Sequence, residues 1–249
     1  ERRMATRTVI SRTRRSAVEE TAAGFPFTVE HIPALLPGWL GPEFVKHYRQ
    51  QAWEAYTRLP LPASTDEAWR RTDLKNLRPG SFSFGVERGL PPAPEALLQP
   101  LAGDLHGGQI IFQPGETRVE LDADLAAQGV VFCDLHTAEQ QYPDLLKRIL
   151  GQVVRADEGK FSAMAAALAR QGVLVYVPRG VTVEAPLHSV LWGPGAGQAY
   201  FSHVLVYLEA GAALTYVHEA ASPNEQDGQS LHAGIVELHV GQGANLRFV

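Results

Sequence analysis

The sequence predicts a mainly β protein, a right-handed parallel β-helix (a solenoid) preceded by a small helical N-terminal region. Three observations carry that expectation. Gly180, Gly211 and Gly243 stand 31 (211−180) and 32 (243−211) residues apart. Around each glycine the same offsets are apolar: Val175, Val206 and Leu238 five before, Val177, Leu208 and Val240 three before, Val183, Leu214 and Leu246 three after. Val181, Ala212 and Ala244 follow the glycines directly, and Ala185, Tyr216 and Phe248 lie five after them. Period-2 alternation makes each segment a pair of strands bent at its glycine. Thirdly, a unit repeated at a fixed period cannot bury its apolar face alone and must stack on the next.

The elements follow in order. Residues 1–24 hold six arginines among Ser and Thr and read as a basic, disordered start, with an organelle leader or a nucleic-acid arm as alternatives. Residues 25–108 form the N-terminal helical region. There Pro42 suits a first helical turn, and Phe44, Val45, Tyr48, Ala52, Tyr56 and Leu59 recur at helical spacing. Pro60 and Pro62 stop that helix, and Ser64 with Glu67 forms a capping-box pattern for a short helix through Trp69. Pro79, Gly80, Pro91, Pro92 and Pro94 mark a linker-like passage that reads as a domain boundary.

Residues 109–249 are expected to form the β-helix, with two helical interruptions. Ile110–Phe112 and Val130–Phe132 read as its first strands, separated by a Pro114–Gly115 turn, but Glu116 and Arg118 occupy slots that the ladder keeps apolar. The interruptions are Asp144–Leu150, stopped by Gly151, and Lys160–Arg170, stopped by Gly172. The ladder proper runs from 173 to 249 and breaks off at Leu246–Val249 in mid-strand. An uncapped coil leaves an open edge, so the chain reads as truncated at that end or as covered there by a partner.

Bulk properties narrow the class. With 249 residues and 45% hydrophobic content the chain can bury a large core. A formal net charge of −5 argues against a general nucleic-acid or anionic-membrane binder. No run approaches 18 consecutive apolar residues. The single cysteine, Cys133, excludes an internal disulfide and fits a reducing compartment, so a cytoplasmic location is expected.

Further motifs carry a resemblance. Pro37-Gly38-Trp39-Leu40, Leu61-Pro62 and Glu67-Ala68-Trp69-Arg70-Arg71-Thr72-Asp73-Leu74 resemble the N-terminal region of the SufB/SufD family, the scaffold subunits of SUF iron–sulfur cluster assembly. Phe161-Ser162-Ala163-Met164, the stretch Gly172–Val181, and Leu231-His232-Ala233 with Val236-Glu237 are similar to later parts of the same family. The resemblance covers roughly residues 35–249 and lies nearer the SufD branch, on the Trp69–Leu74 stretch. In the SufB branch a functional cysteine lies in Glu-Gly-Cys-Thr-Ala-Pro; His218-Glu219-Ala220-Ala221-Ser222-Pro223 matches it here, with Ala220 at the cysteine. The SufB Arg-x-Asn stretch is replaced by Trp192-Gly193-Pro194. Without a thiolate, Ala220 neither carries persulfide sulfur nor ligates iron.

The resemblance implies a non-catalytic scaffold that pairs with a SufB-type subunit and a SufC-type ABC ATPase, with a homodimer of such subunits as a further possibility. ATP hydrolysis is expected from the partner. No cofactor is expected on this chain alone, the iron–sulfur cluster forming transiently on the complex. A β-helix polysaccharide lyase or hydrolase is the alternative, but Glu184, Glu209 and Glu237 fall at different ladder phases and read as solvated strand positions.

No catalytic or metal residue is assigned, and cofactor-binding residues stay undetermined. Cys133 and His136 have a C-x-x-H spacing, yet a cysteine after Val131-Phe132 reads as a small buried hydrophobe. His203, His218, His232 and His239 differ in phase, so no stacked histidine column is expected. Trp192, Tyr200, Phe201 and Tyr207 are candidates for an exposed aromatic patch, against the commoner reading that they are core.

Overall fold

The computed structural model describes residues 24–72, 74–84, 92–98, 105–223 and 228–249. The basic start, apart from Gly24, and residues 85–91 of the Pro-rich passage lie outside the described residues. Helix α1 (Glu43–Arg58) begins directly after Pro42 and buries Val45, Arg49, Ala52, Ala55 and Tyr56 on one face. Short helices α2 (Glu95–Leu98), α3 (Ala123–Ala127), α4 (Leu135–Gln141) and α5 (Pro143–Ile149) precede α6 (Lys160–Leu168). Helix α6 buries every residue from Ala163 to Leu168, and its alanines let α1 pack close in one apolar cluster with Phe25, Phe27, Ile32, Phe82 and Phe201.

Ten strands complete the described chain. They are β1 (Ser83–Phe84), β2 (Gly108–Gln113), β3 (Glu116–Leu121), β4 (Val131–Asp134), β5 (Gln171–Val177), β6 (Thr182–Trp192), β7 (Gln198–Leu208), β8 (Ala213–Ala221), β9 (Leu231–Val240) and β10 (Asn245–Phe248). One five-stranded sheet has the order β1-β7-β5-β4, with β9 also on β7; the other has the order β10-β8-β6-β2-β3. Residues from one face of each sheet share a core: Val173, Val175, Val204, Val206 and Leu208 from the first, Ile110, Leu187, Leu191, Leu214 and Tyr216 from the second.

The expected right-handed parallel β-helix is corrected by this topology. Both sheets are mixed: β2 pairs antiparallel with β3, and β4 antiparallel with β5. The cause is local. Pro114–Gly115, with Gly115 at φ 78°, closes a two-residue hairpin, and such a turn reverses the chain instead of carrying it on to a parallel neighbour. Four helices then intervene between β3 and β5, where a solenoid would continue its coils. The architecture is two mixed sheets with helices packed on them.

Within those sheets the glycine-phased residues do meet in register. Val175 is opposite Val206 and Val206 opposite Leu238; Val177, Leu208 and Val240 align in the same way. On the second sheet Val183 is opposite Leu214 and Leu214 opposite Leu246. Gly180, Gly211 and Gly243 have φ of 71°, 72° and 69°, the left-handed turn that glycine adopts without strain. Gly180 N–H donates to Ala210 O and Gly211 N–H to Gln242 O, each at 3.0 Å, so the turns are hydrogen-bonded to one another.

Smaller differences have equally local reasons. Ser64 does not cap the helical turn at Glu67–Trp69; Asp66 occupies the N-cap position, and its carboxylate accepts from Ala63 N–H at 2.9 Å. Helices α3 and α4 are not among the expected elements. Their N-caps, Asp122 and Asp134, accept from Asp124 N–H and Thr137 N–H and are the signals that could have placed them. Glu116 and Arg118 fall on β3, which is exposed along almost its whole length.

Candidate functional site

Three polar constellations are built into the apolar framework. The first lies where α1, α4 and the loop after α5 meet the outer face of the first sheet. Alternation on β7 and β9 sends His203 and Glu237 to that face, where His203 Nε2 lies 2.8 Å from Glu237 Oε1 with both side chains buried. Glu237 also accepts from Gly151 N–H and Val153 N–H at 2.8 Å and Val154 N–H at 3.2 Å. Burial would raise its carboxyl, yet the His203 bond and charge and the backbone donors hold it below the ordinary range. The loop needs a glycine at 151: φ is 69°, and a Cβ would come within 2.6 Å of the Tyr48 ring.

Beside this pair, Arg49 donates through Nη2 to Glu139 Oε1 at 2.9 Å and through Nη1 to Ala169 O at 2.8 Å. Trp39 Nε1–H donates to the other Glu139 oxygen at 2.9 Å. Of the two buried carboxylates, Glu139 ties Trp39 and Arg49 of the N-terminal helical region to α4, and Glu237 ties the 151–154 loop to β7 and β9.

The second constellation sits between the sheets. Ser189 Oγ is 2.6 Å from Tyr216 Oη and 2.7 Å from His218 Nδ1. Ser202 Oγ is 2.8 Å from His232 Nε2, and the His232 ring stacks on Tyr200 with centroids 4.4 Å apart. Gly234, opposite Ser202, leaves room for this: a Cβ there would meet Ser202 Oγ at 2.9 Å and His232 Nε2 at 3.2 Å. Burial, aided by His188, lowers His218 to about 4, whereas His232 is exposed beyond its contact with Tyr200. The His218 ring is therefore neutral near pH 7.

The third constellation lies on the other face of the second sheet. The Gln109 amide nitrogen donates to Leu98 O and meets His188 Nδ1 at 3.1 Å, while His188 Nε2 lies 3.2 Å from Glu219 Oε1. An amide nitrogen only donates, so Nδ1 accepts and Nε2–H donates to Glu219. Burial foremost depresses His188, opposed by Glu219.

Other sequence candidates are not brought together. Cys133 packs with Leu174 and Leu205, and burial, then Asp134, pushes its thiol up to about 12. His136 bonds Gln140 on α4 instead. Among the described residues no three or more His, Cys, Asp or Glu side chains form a metal-holding group. Glu184 is exposed, Glu209 lies 4.0 Å from Arg148, and Glu237 is sealed in the first constellation, which corrects its reading as a solvated strand residue. Trp192 and Phe201 are buried. Tyr207 is half-buried under the Arg148 guanidinium, and His239 meets Ile149 O at 3.2 Å. Ala220 lies exposed on β8 opposite Leu191.

Residues 41–188 match the family model described as the SufBD protein N-terminal region, and residues 191–249 match the SUF system FeS cluster assembly SufBD core domain. The chain belongs to the SufBD family. Among its relatives, the iron–sulfur cluster assembly protein SufD of Bacillus subtilis is 28% identical over 192 residues, 73% of this chain and 42% of that protein. SufB of the same organism is 26% identical over 222 residues, 83% and 46% of the two chains. A chloroplastic iron–sulfur cluster assembly SufBD family protein of Arabidopsis thaliana is 31% identical over 124 residues, 50% and 22%. This SufBD chain therefore spans less than half the length of these curated relatives. No described helix is long and apolar enough to cross a membrane.

Proposed function

We propose that this chain is part of a SufD-like scaffold subunit that pairs with a SufB-type subunit and a SufC-type ATPase, in the cytoplasm. Its job is to hold partner surfaces in a fixed relation while the partner hydrolyses ATP and an iron–sulfur cluster forms transiently on the complex. The organisation proposed with it is an N-terminal helical region at 25–108 and a sheet region at 109–249, and two such subunits are able to pair. The observation that carries the SufD-like reading is the fate of sulfur in this segment. Ala220 stands where the SufB branch has its cysteine, and Cys133, the only thiol, is buried and protonated near pH 7. A lyase or hydrolase reading finds less support, because Glu184, Glu209 and Glu237 do not gather in one cleft.

The test is chemical. Purified protein, alone, is incubated with ATP and with a persulfide donor. The expected outcome is no phosphate release and no sulfane sulfur retained on this segment. Sustained ATP hydrolysis, or persulfide on Cys133, contradicts the reading.

A further inference from the structure

The seam between α1 and the first sheet holds two buried polar atoms without a partner, Tyr48 Oη and Arg49 Nε. They belong to consecutive residues, and the Arg49 side chain is 5% exposed. Tyr48 and Arg49 line a small recess together with Glu139, His203, Leu135 and Ala166. Its volume is about 10 Å³, and roughly 10–15 Å³ suffices for one water. A wholly apolar hole of this kind stays dry, but one lined by several polar groups retains water that completes their hydrogen bonds.

We infer that this space is a binding site for a single ordered water, held by Arg49 Nε–H and Tyr48 Oη. The donor inventory fits. Arg49 directs Nη1 to Ala169 O and Nη2 to Glu139, so a water accepting from Nε–H gives each of the three guanidinium nitrogens an acceptor. The tyrosine hydroxyl both donates and accepts, and closes the second contact in either sense. The helix is then fastened to the sheet partly through solvent, between the Arg49–Glu139 link and the His203–Glu237 pair. This inference is independent of the assembly role.

Two measurements test it together. A crystal structure of the protein resolving ordered waters should show one within hydrogen-bonding distance of both atoms. Tyr48→Phe should then lower the thermal midpoint by about 2–4 °C, because the water loses a partner. Were Tyr48 Oη a true orphan, removing it would relieve an unmet buried group and leave the midpoint unchanged or higher. Either an empty seam in the crystallographic map or an unchanged or raised midpoint overturns the inference.

Discussion

Both sheets carry a pair of a buried histidine and a glutamate, but the two carboxylates are covered differently. His203–Glu237 on the first sheet is covered by α1, α4 and the 151–154 loop, with side chains 2% and 0% exposed; Glu219 of the His188 pair is 23% exposed. Glu237 has four hydrogen-bond donors around it, whereas among the described residues only His188 donates to Glu219. The lesson is that the same two residue types serve different purposes according to what covers them. One pair is a structural rivet that joins three elements; in the other the histidine is buried, 1% exposed, and only the carboxylate reaches the surface.

The largest expected effect breaks the rivet. Glu237→Ala strands His203 and three backbone N–H groups in a sealed seam, and should cost about 3–5 kcal/mol, as loss of one partner from a buried pair does. Chemical denaturation of the variant measures it, and a change near zero means the seam opens readily to water. Next comes Leu208→Ala, in the core shared by the two sheets, at roughly 2–5 kcal/mol. Gly180→Ala should cost less, about 1–2 kcal/mol: φ is 71° but no atom lies within 4 Å of the added carbon, so only backbone strain is felt. The smallest effect belongs to the partly exposed carboxylate. Glu219→Ala lets water reach His188 Nε2–H and should cost about 1 kcal/mol, and a loss matching that of Glu237→Ala would erase the contrast between the sheets.

A pH series sharpens the comparison from within. Burial lowers His218 to about 4 in the folded chain, below the unfolded value of about 6.5. Between those values the unfolded chain binds more protons than the folded one. Its contribution is therefore fully present above about pH 6.5 and is lost as pH falls toward 4. Urea midpoints at neutral and at mildly acidic pH should show that fall, and His218→Gln should flatten it. An unchanged slope in His218→Gln would mean that this ring is solvated when folded.

Much of the sheet core was legible in the sequence because period-2 alternation and turn glycines are local signals. Val177, Leu208 and Val240 lie in register as their shared offset required. The sheet class was not legible, since Pro114–Gly115 sets an antiparallel hairpin and the strand patterns of parallel and antiparallel pairs are alike. Helices α3 and α4 were missed although Asp122 and Asp134 are ordinary N-caps, because both helices are too short to show a periodic face. Glu237 was misread for a different reason. Nothing near it in sequence says that Gly151, Val153 and His203 will surround it, and those partners come from 34 to 86 residues away.

The family match makes this a SufBD chain, and the SufD-like role proposed for it rests on the alanine at 220. Co-expression of the tagged full-length protein with SufB- and SufC-type subunits, followed by native mass measurement of what copurifies, tests that role most directly. A stable assembly containing all three kinds of subunit is the predicted result. Recovery of the protein alone, under conditions in which the other two subunits still bind each other, would contradict it.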